Sequence, residues 1–215
     1  MSDTSFDTAL VTAAFALGAD AGWRNVSAAS AARHAGLDFA MARARFGSCA
    51  AILRKFGELA DVAALTGALT EGVARDRLFD VLMRRFDFLQ AHRAGVLALL
   101  KAVPADPMLA LCLARANLVS MGWMLEGAGI SSKGVRGELR KRGLLLVWAY
   151  GMHAWACDES ADLTATMAAV DVALNKADSL AARFFASPPA AATEPPPGAP
   201  NDPDLPFPDA PSGVA

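Results

Sequence analysis

The chain has 215 residues, of which 54% are hydrophobic and 20% are charged, and its formal net charge is −2. This composition excludes a fully disordered chain, which would be less apolar and more charged, and three cysteines are too few for a disulfide-stapled secreted domain. The near-zero net charge argues weakly against a dedicated nucleic-acid coat protein.

The averages hide two unlike segments. Ten of the 12 prolines lie in residues 188–211, and residues 187–215 have four acidic side chains and no Lys or Arg. This segment therefore has a charge of −4, and residues 1–186 have a charge of +2. We predict that residues 187–215 form a disordered, Pro-rich acidic tail, because few large apolar groups are present to offset the entropy of ordering.

Neither end of the chain nor its apolar runs indicate a membrane protein. Acidic residues precede the first apolar run, and the longest uncharged stretch, residues 143–157, is shorter than the roughly 20 residues that cross a bilayer. We predict a cytoplasmic protein without a transmembrane segment. Cys49, Cys112 and Cys157 form no CxxC motif and are predicted to be free thiols.

The N-terminal part of the chain predicts four helices. The first covers about residues 5–19. Two short helices begin after the predicted N-caps Ser27 and Asp38 and are separated by Gly36, and Ser48 caps a fourth helix.

The rest of the body predicts five more helices and no strand with alternating polarity, so the predicted fold class is all-α with about nine helices. These helices cover about residues 75–91, 92–103, 107–126, 133–156 and 163–185. The segment from Leu144 to Ala156 is apolar on every side, which is typical of a helix in a core or an oligomer interface.

The two short helices have the geometry of a helix-turn-helix, because a tight turn at Gly36 and Leu37 joins them. Between Arg24 and Lys55 six basic residues stand against Asp38 alone, which gives a local charge of +5. A basic helix-turn-helix is the electrostatic pattern expected of a DNA-binding element.

Residues 35–46 align without gaps to the helix-turn-helix of the TetR family, which the chain resembles over about residues 5–186. The resemblance implies a TetR-like fold in three parts. These are a DNA-binding domain over 1–50, a helical ligand-binding and dimerisation domain over 51–186, and the tail.

The resemblance implies double-stranded DNA as a partner. Arg43 and Arg45, with backbone amides beside the helix caps, would position the recognition helix, although a solvated face or an anionic-lipid contact is an alternative for both arginines. We expect Phe46 to be a core anchor and Phe39 to point outward. The predicted DNA-contacting residues are Ser27, Arg33, Asp38, Phe39, Ala40, Met41, Arg43, Arg45 and Ser48.

Aromatic and Met residues of the body predict either plain core packing or an apolar cavity for a flat or isoprenoid ligand. For His153, a hydrogen-bonded core position is the alternative. The last two helices are expected to form a homodimer interface, as the resemblance implies. The predicted ligand-pocket residues are Phe86, Met121, Trp123, Trp148, Met152 and His153.

A second resemblance leaves the function open. Gly22-Trp23, Arg142-Gly143-Leu144 and Asp158-Glu159-Ser160 are similar to segments of the TetR-fold lipid-binding accessory proteins of ubiquinone biosynthesis. Resemblance to that family implies that the chain binds an isoprenoid lipid and a partner enzyme and does not bind an operator. Two functions therefore follow: a TetR-type regulator that responds to an apolar small ligand, or a lipid- or quinone-precursor-binding accessory protein.

No motif predicts an enzyme. The three histidines His34, His92 and His153 are isolated, and the sequence contains no HExxH, no GxSxG and no Gly-rich phosphate loop. Asp158 is expected to be solvated at a helix end. We therefore predict no catalytic residue, no metal site and no cofactor.

Overall fold

The computed structural model describes residues 3–185, so the predicted acidic tail lies outside the described residues. Within this range the prediction of an all-α fold with nine helices is confirmed. Two 3-10 turns, Trp23–Asn25 and Val103–Ala105, interrupt the α-helical order. The helices are α1 (Asp3–Ala21), α2 (Ala28–Ala35), α3 (Phe39–Arg45), α4 (Cys49–Leu65), α5 (Ala74–Gln90), α6 (Arg93–Ala102), α7 (Pro107–Gly127), α8 (Gly134–Cys157) and α9 (Thr164–Phe185).

The two short helices begin and end where their sequence places the caps. The Ser27 hydroxyl accepts a hydrogen bond from the Ser30 amide at 3.0 Å, and Ser30 returns the bond in a capping box. Gly36 ends α2 in the left-handed region with φ of 63°, a conformation that glycine adopts without a side-chain clash. Asp38 then caps α3 by accepting from the Met41 amide at 2.7 Å. The predicted helix-turn-helix is therefore formed.

The N-terminal head, which we define as residues 3–48, is joined to the body by a continuous helix. The predicted domain boundary at residues 50/51 falls inside α4, which begins directly after the head at Cys49 and packs on α5 and α7 of the body. A close crossing of α1 and α6 adds a second joint, because a Cβ atom at Gly95 would lie 2.4 Å from the Phe15 carbonyl oxygen. Movement of the head must therefore act on α4 and α6.

The segment of α8 that is apolar on every side, from Leu144 to Ala156, is covered on one face only. Trp148 and Trp155 are buried against the body, where α9 packs along α8. On the opposite face Leu146 is 73% exposed, and Tyr150 and His153 are exposed too. In the isolated chain this outer face has no partner among the described residues.

The prediction of a solvated Asp158 is wrong. Its side chain is buried and accepts hydrogen bonds from the Ser160 amide at 3.0 Å and from the amide and hydroxyl of Thr166 at 2.8 Å and 2.7 Å. Hydrogen bonds from Ser160 and Thr166 hold the pKa of this carboxyl well below its usual range. Asp158 therefore organises the turn between α8 and α9.

Among the described residues, α7 is the one helix that is long and apolar enough to cross a membrane, by length and composition. Here it packs against α4, α5 and α8, with Met121, Met124 and Leu125 buried in the core. Only 28% of its most apolar 18 residues are buried, so α7 packs on the bundle through one face.

Candidate DNA-binding site

The second helix of the helix-turn-helix, α3, is held by its inner face and presents its outer face to solvent. Ala42 and the C-cap residue Phe46 are 1% and 4% exposed, so they anchor the helix, whereas Phe39 is 49% exposed. The predictions of a buried Phe46 and an outward Phe39 are both confirmed. The outer face also contains Met41 and Arg43. It thus offers mainly apolar groups, with arginine as the polar element.

Arg45 is engaged inside the head. Its Nε and Nη2 donate to the two carboxylate oxygens of Asp7 at 2.5 Å and 2.8 Å, and its Nη1 lies 3.0 Å from Asp3. Lys55 Nζ adds a contact to Asp7 at 3.2 Å. This ion-pair cluster ties the end of α3 to α1 and α4. The guanidinium donors of Arg45, which would otherwise contact phosphate, bind Asp7 and Asp3 instead. Arg45 therefore acts as a positioning residue for α3 in this structure.

Asp7 is the central carboxylate of this ion-pair cluster, and its side chain is buried, with 3% of the residue exposed. The hydrogen bond from Arg45, followed by that from Lys55, lowers the pKa of this carboxyl against the opposing effect of burial, and Asp7 in turn raises the pKa of Arg45. The local charge of +5 counted along residues 24–55 therefore falls to +2 when Asp3, Asp7 and Asp20 of α1 are included. The head is less basic in three dimensions than its sequence suggests.

Three exposed arginines remain on the head after this pairing. Arg24 and Arg43 form no ion pair within the described part of the chain, and the Arg33 guanidinium lies 5.6 Å from the centre of the Phe39 ring. Such a contact orients Arg33 and leaves its hydrogen-bond donors available. These arginines are the cations of the head that can reach phosphate.

All nine residues predicted to contact DNA are exposed, and the structure brings them together around α2, α3 and the start of α4. The side chains of three of them, Ser27, Asp38 and Ser48, serve as helix caps. Their contact with DNA would therefore run through backbone amides, which is the common way in which helix termini meet phosphate. The contacts themselves stay a prediction.

Sequence reasoning did not identify the joint between head and body. Trp23 donates from Nε1 to the Gly95 carbonyl at 3.0 Å and meets Phe15 edge-on, with ring centroids 4.8 Å apart. Phe15 stacks on Phe56 at 3.8 Å, and His92 packs against both rings. Burial lowers the pKa of His92. Asp7 was overlooked as well, although a carboxylate on the buried stripe of an apolar helix signals an internal partner.

A groove of about 540 Å³ opens beside this joint, between the head and the start of α7. Its walls include the apolar side chains of Trp23, Val26, Leu53 and Leu109. The volume is typical of small-molecule sites, and the lining joins two parts of the molecule.

The ligand pocket predicted in the body is not assembled. Phe86, Met121 and Trp148 are buried, and Phe86 stacks on Trp148 with ring centroids 4.5 Å apart, so they fill the space. Met152 is partly buried. Trp123 is 59% exposed and His153 is exposed, so these two residues face solvent instead. Neither the pocket nor the core position of His153 is found in this structure.

A buried ionic cluster lies in the same region. The Arg85 guanidinium pairs with Asp61 of α4 and lies 5.0 Å from the centre of the Trp148 ring, and Ser120 donates to Asp61 at 2.7 Å. Burial lowers the pKa of Arg85 to about 10, and its Nε finds no acceptor among the described residues. Breaking such a pair leaves an uncompensated buried charge, so the cluster holds α4 in register with α5 and α7.

These features define a class of protein: a helical body with an N-terminal helix-turn-helix whose second helix, α3, faces outward. No protein-family model matches the chain, and no curated protein matches it in sequence. The structure nevertheless matches solved proteins of one kind.

The fold is that of the TetR-family transcriptional regulators. A TetR transcriptional regulator from Nitrosomonas europaea aligns with a TM-score of 0.63 and 18% identity over 80% of this chain and 98% of its own. A TetR-family regulator from Streptomyces coelicolor aligns with a TM-score of 0.56 and 17% identity over 86% of this chain and 85% of its own. The predicted TetR-like fold is confirmed.

Proposed function

We propose that this chain is a cytoplasmic, homodimeric transcriptional regulator of the TetR type that binds double-stranded DNA and responds to an apolar small ligand. One observation carries the proposal: α3 is anchored through Ala42 and Phe46 while Phe39, Met41 and Arg43 face outward. Helix-turn-helix proteins insert the outward face of such a helix into the major groove. The structural neighbours, which are transcriptional regulators, support the same function and support a non-enzymatic role.

The outer face of α3 suggests how DNA would be read. Arg43 is the basic side chain of α3 that remains unpaired within the described residues, and Phe39 and Met41 offer apolar surface. Apolar side chains contact the methyl group of thymine, and arginine recognises guanine or phosphate. We therefore expect an operator half-site that contains thymines, with Arg43 on a phosphate beside them.

Dimerisation is supported by the uncovered face of α8 and α9. Leu146 is 73% exposed and Val172 is 44% exposed, and Tyr150 lies on the same outer face of α8. Burial of this apolar face against a second copy would remove it from water. Leu146→Glu should yield monomers in light scattering, whereas Val62→Glu, at a 63% exposed position on α4, should leave dimers intact. Dimers in both variants would contradict this interface.

DNA binding is tested by selecting from a random duplex library and then measuring affinity by fluorescence anisotropy. We expect Arg43→Gln to weaken binding to the selected duplex by about 10–150-fold, because a hydrogen bond to a charged group such as phosphate contributes about 1.5–3 kcal/mol. The matched control is Arg115→Gln, an exposed arginine on α7. Failure to enrich any duplex, or equal losses in both variants, would overturn the proposal.

The groove at the joint is our candidate for the effector site, because a ligand there would contact both the head and α7. Leu109→Trp should fill the groove and lower its affinity for the apolar dye 1-anilinonaphthalene-8-sulfonate. Leu111→Trp, at a position 56% exposed on the same helix, is the control. Unchanged dye binding in Leu109→Trp would exclude the groove as the effector site.

A further inference from the structure

Another basic surface lies on the first turns of α8, which we call the basic segment and define as residues 133–142. Five basic side chains and the single acid Glu138 give it a charge of +4, and Glu138 pairs with Lys141. With Glu126, which accepts from Ser132 just before the segment, the charge is still +3. All ten residues are exposed except Gly137 and the partly buried Lys141, so the charge faces solvent. The basic residues are Lys133, Arg136, Arg140, Lys141 and Arg142.

The basic segment lies at the end of the body that is remote from the head. Helix α4 begins directly after the head and ends at Leu65, and a Cβ atom at Gly127, the last residue of α7, would lie 2.3 Å from a Leu65 methyl carbon. The 17 residues of α4 span about 25 Å, at about 1.5 Å per residue. Lys141 of the segment packs beside the same end of α7, because its Cδ would lie 3.2 Å from a Cβ at Gly122. The segment is therefore separate from the arginines of the head.

Helix α9 ends beside the basic segment. Six residues connect α8 and α9, which pack side by side and therefore run antiparallel. A Cβ atom at Gly151 of α8 would lie 3.0 Å from Val170 of α9, and this contact sets the register of the two helices. Phe185 ends α9 15 residues after Val170, so it lies about level with Arg136, which is 15 residues before Gly151. The chain that follows Phe185 therefore starts within reach of the basic segment.

The sequence of the acidic tail is complementary to the basic segment. The tail has a charge of −4, and residues 202–209 combine three aspartates with Leu205 and Phe207. The basic segment likewise has apolar side chains between its cations, since Val135 is 88% exposed and Leu139 is 52% exposed. Opposite charges and apolar groups could therefore pair on the same surface.

The intervening chain is long enough for this pairing. Asp202 follows Phe185 by 17 residues, which cover about 50 Å when a Pro-rich chain is extended at about 3.1 Å per residue. The basic segment is about 15 Å long, so residues 202–209 can return to it. Prolines in this stretch restrict the unbound chain, which lowers the conformational entropy lost on docking.

We propose that residues 202–209 dock on the basic segment of their own chain, with the aspartates against the cations and the two apolar side chains against the apolar positions of α8. A tail held there covers the basic segment and competes with other polyanions for it. Charge complementarity and the position at which α9 ends carry this inference, and neither depends on DNA binding.

The contact is tested on the full chain with a water-soluble carbodiimide, which joins a lysine amine to a carboxylate when the two groups touch. Peptide mass mapping should find Lys133 joined to residues 202–209 at least about fivefold more often than Lys101, because the tethered tail meets the basic segment at a high effective concentration. Lys101 is an exposed lysine beside the head and serves as the control. Equal yields at the two lysines would overturn the proposal. So would cross-links that join light and isotope-labelled copies in a mixture, since the tail would then reach another chain.

The covering of the basic segment is measured with heparin as a polyanion probe. Replacing the three aspartates of residues 202–209 by Asn should raise heparin affinity by at least about threefold, because the segment is then uncovered. Arg140→Gln combined with Arg142→Gln should abolish this gain. The charge-matched control is Arg24→Gln combined with Arg43→Gln, which removes two exposed arginines of the head and should preserve the gain. No gain in the Asn variant, or an equal loss of the gain in both arginine pairs, would overturn the proposal.

Both experiments are carried out without DNA, so their outcomes are separate from the test of the proposed function. A chain that selects no duplex yet joins its tail to Lys133 would refute the proposed function alone. A chain that binds its selected duplex while its tail shows no preference for Lys133 would refute the docking alone.

Discussion

The salt dependence of DNA binding tests the assignment of the arginines of the head. The structure leaves Arg24, Arg33 and Arg43 available, which is three per protomer and six per dimer. Contact of all six with phosphate predicts a slope of log affinity against log salt of about −5, and a loss on the order of 10³-fold between roughly 50 and 200 mM salt. If the paired Arg45 and its neighbours Arg54 and Lys55 also met phosphate, the slope would be about −11.

The assay is fluorescence anisotropy of a selected duplex, titrated at four or more salt concentrations. Replacing Arg43 by Gln removes two cations per dimer and should make the slope shallower by about 2, whereas Arg115→Gln should leave it unchanged. A slope near −11 would refute the inference that the Asp7 cluster withholds Arg45 from DNA. An unchanged slope in Arg43→Gln would refute the assignment of Arg43.

The other predictions concern stability. Asp7→Asn should lower the melting temperature most near pH 7, and its melting temperature should approach that of the wild type below about pH 4. The reason is that a carboxyl with a depressed folded-state pKa stabilises the fold above its unfolded pKa and loses this effect as the pH falls. Parallel plots of melting temperature against pH would contradict the role of the Arg45 pair. Gly95→Ala should lower the free energy of unfolding by about 1–3 kcal/mol, since its Cβ would overlap the Phe15 carbonyl. Gly57→Ala, whose Cβ would meet no neighbouring atom within 4 Å, should leave the free energy of unfolding unchanged or raise it by up to about 1 kcal/mol. Equal effects of these two substitutions in urea denaturation would contradict the close crossing of α1 and α6.

Sequence reasoning about the head did not identify the partner of Arg45. A charge count along the chain treats Arg43 and Arg45 alike, since both are basic residues near the end of one short helix. They differ by two positions, which is about 200° around a helix, so one faces solvent and the other reaches α1. The identity of the partner, Asp7, depends on how α1 crosses the helix-turn-helix, and no local pattern contains that information.

The interior of the body shows the same limit. The sequence left core packing and a cavity open for Phe86 and Trp148, and the structure shows core packing, because the rings stack and Arg85 lies over the indole. Periodicity identifies which face of a helix is apolar. It does not tell whether two apolar faces meet tightly or leave a void, because that depends on side-chain volumes across elements distant in sequence.

The sequence by itself determined the local features of this protein. Caps at Ser27, Asp38 and Ser48, the left-handed Gly36 and the apolar stripes placed the helices within a few residues, since these signals act over one or two turns. Tertiary structure alone decided which charges are free and where the groove lies. Those properties arise from contacts between residues 38 to 72 positions apart, such as Asp7 with Arg45 and Trp23 with Gly95, and they exist only once the helices pack.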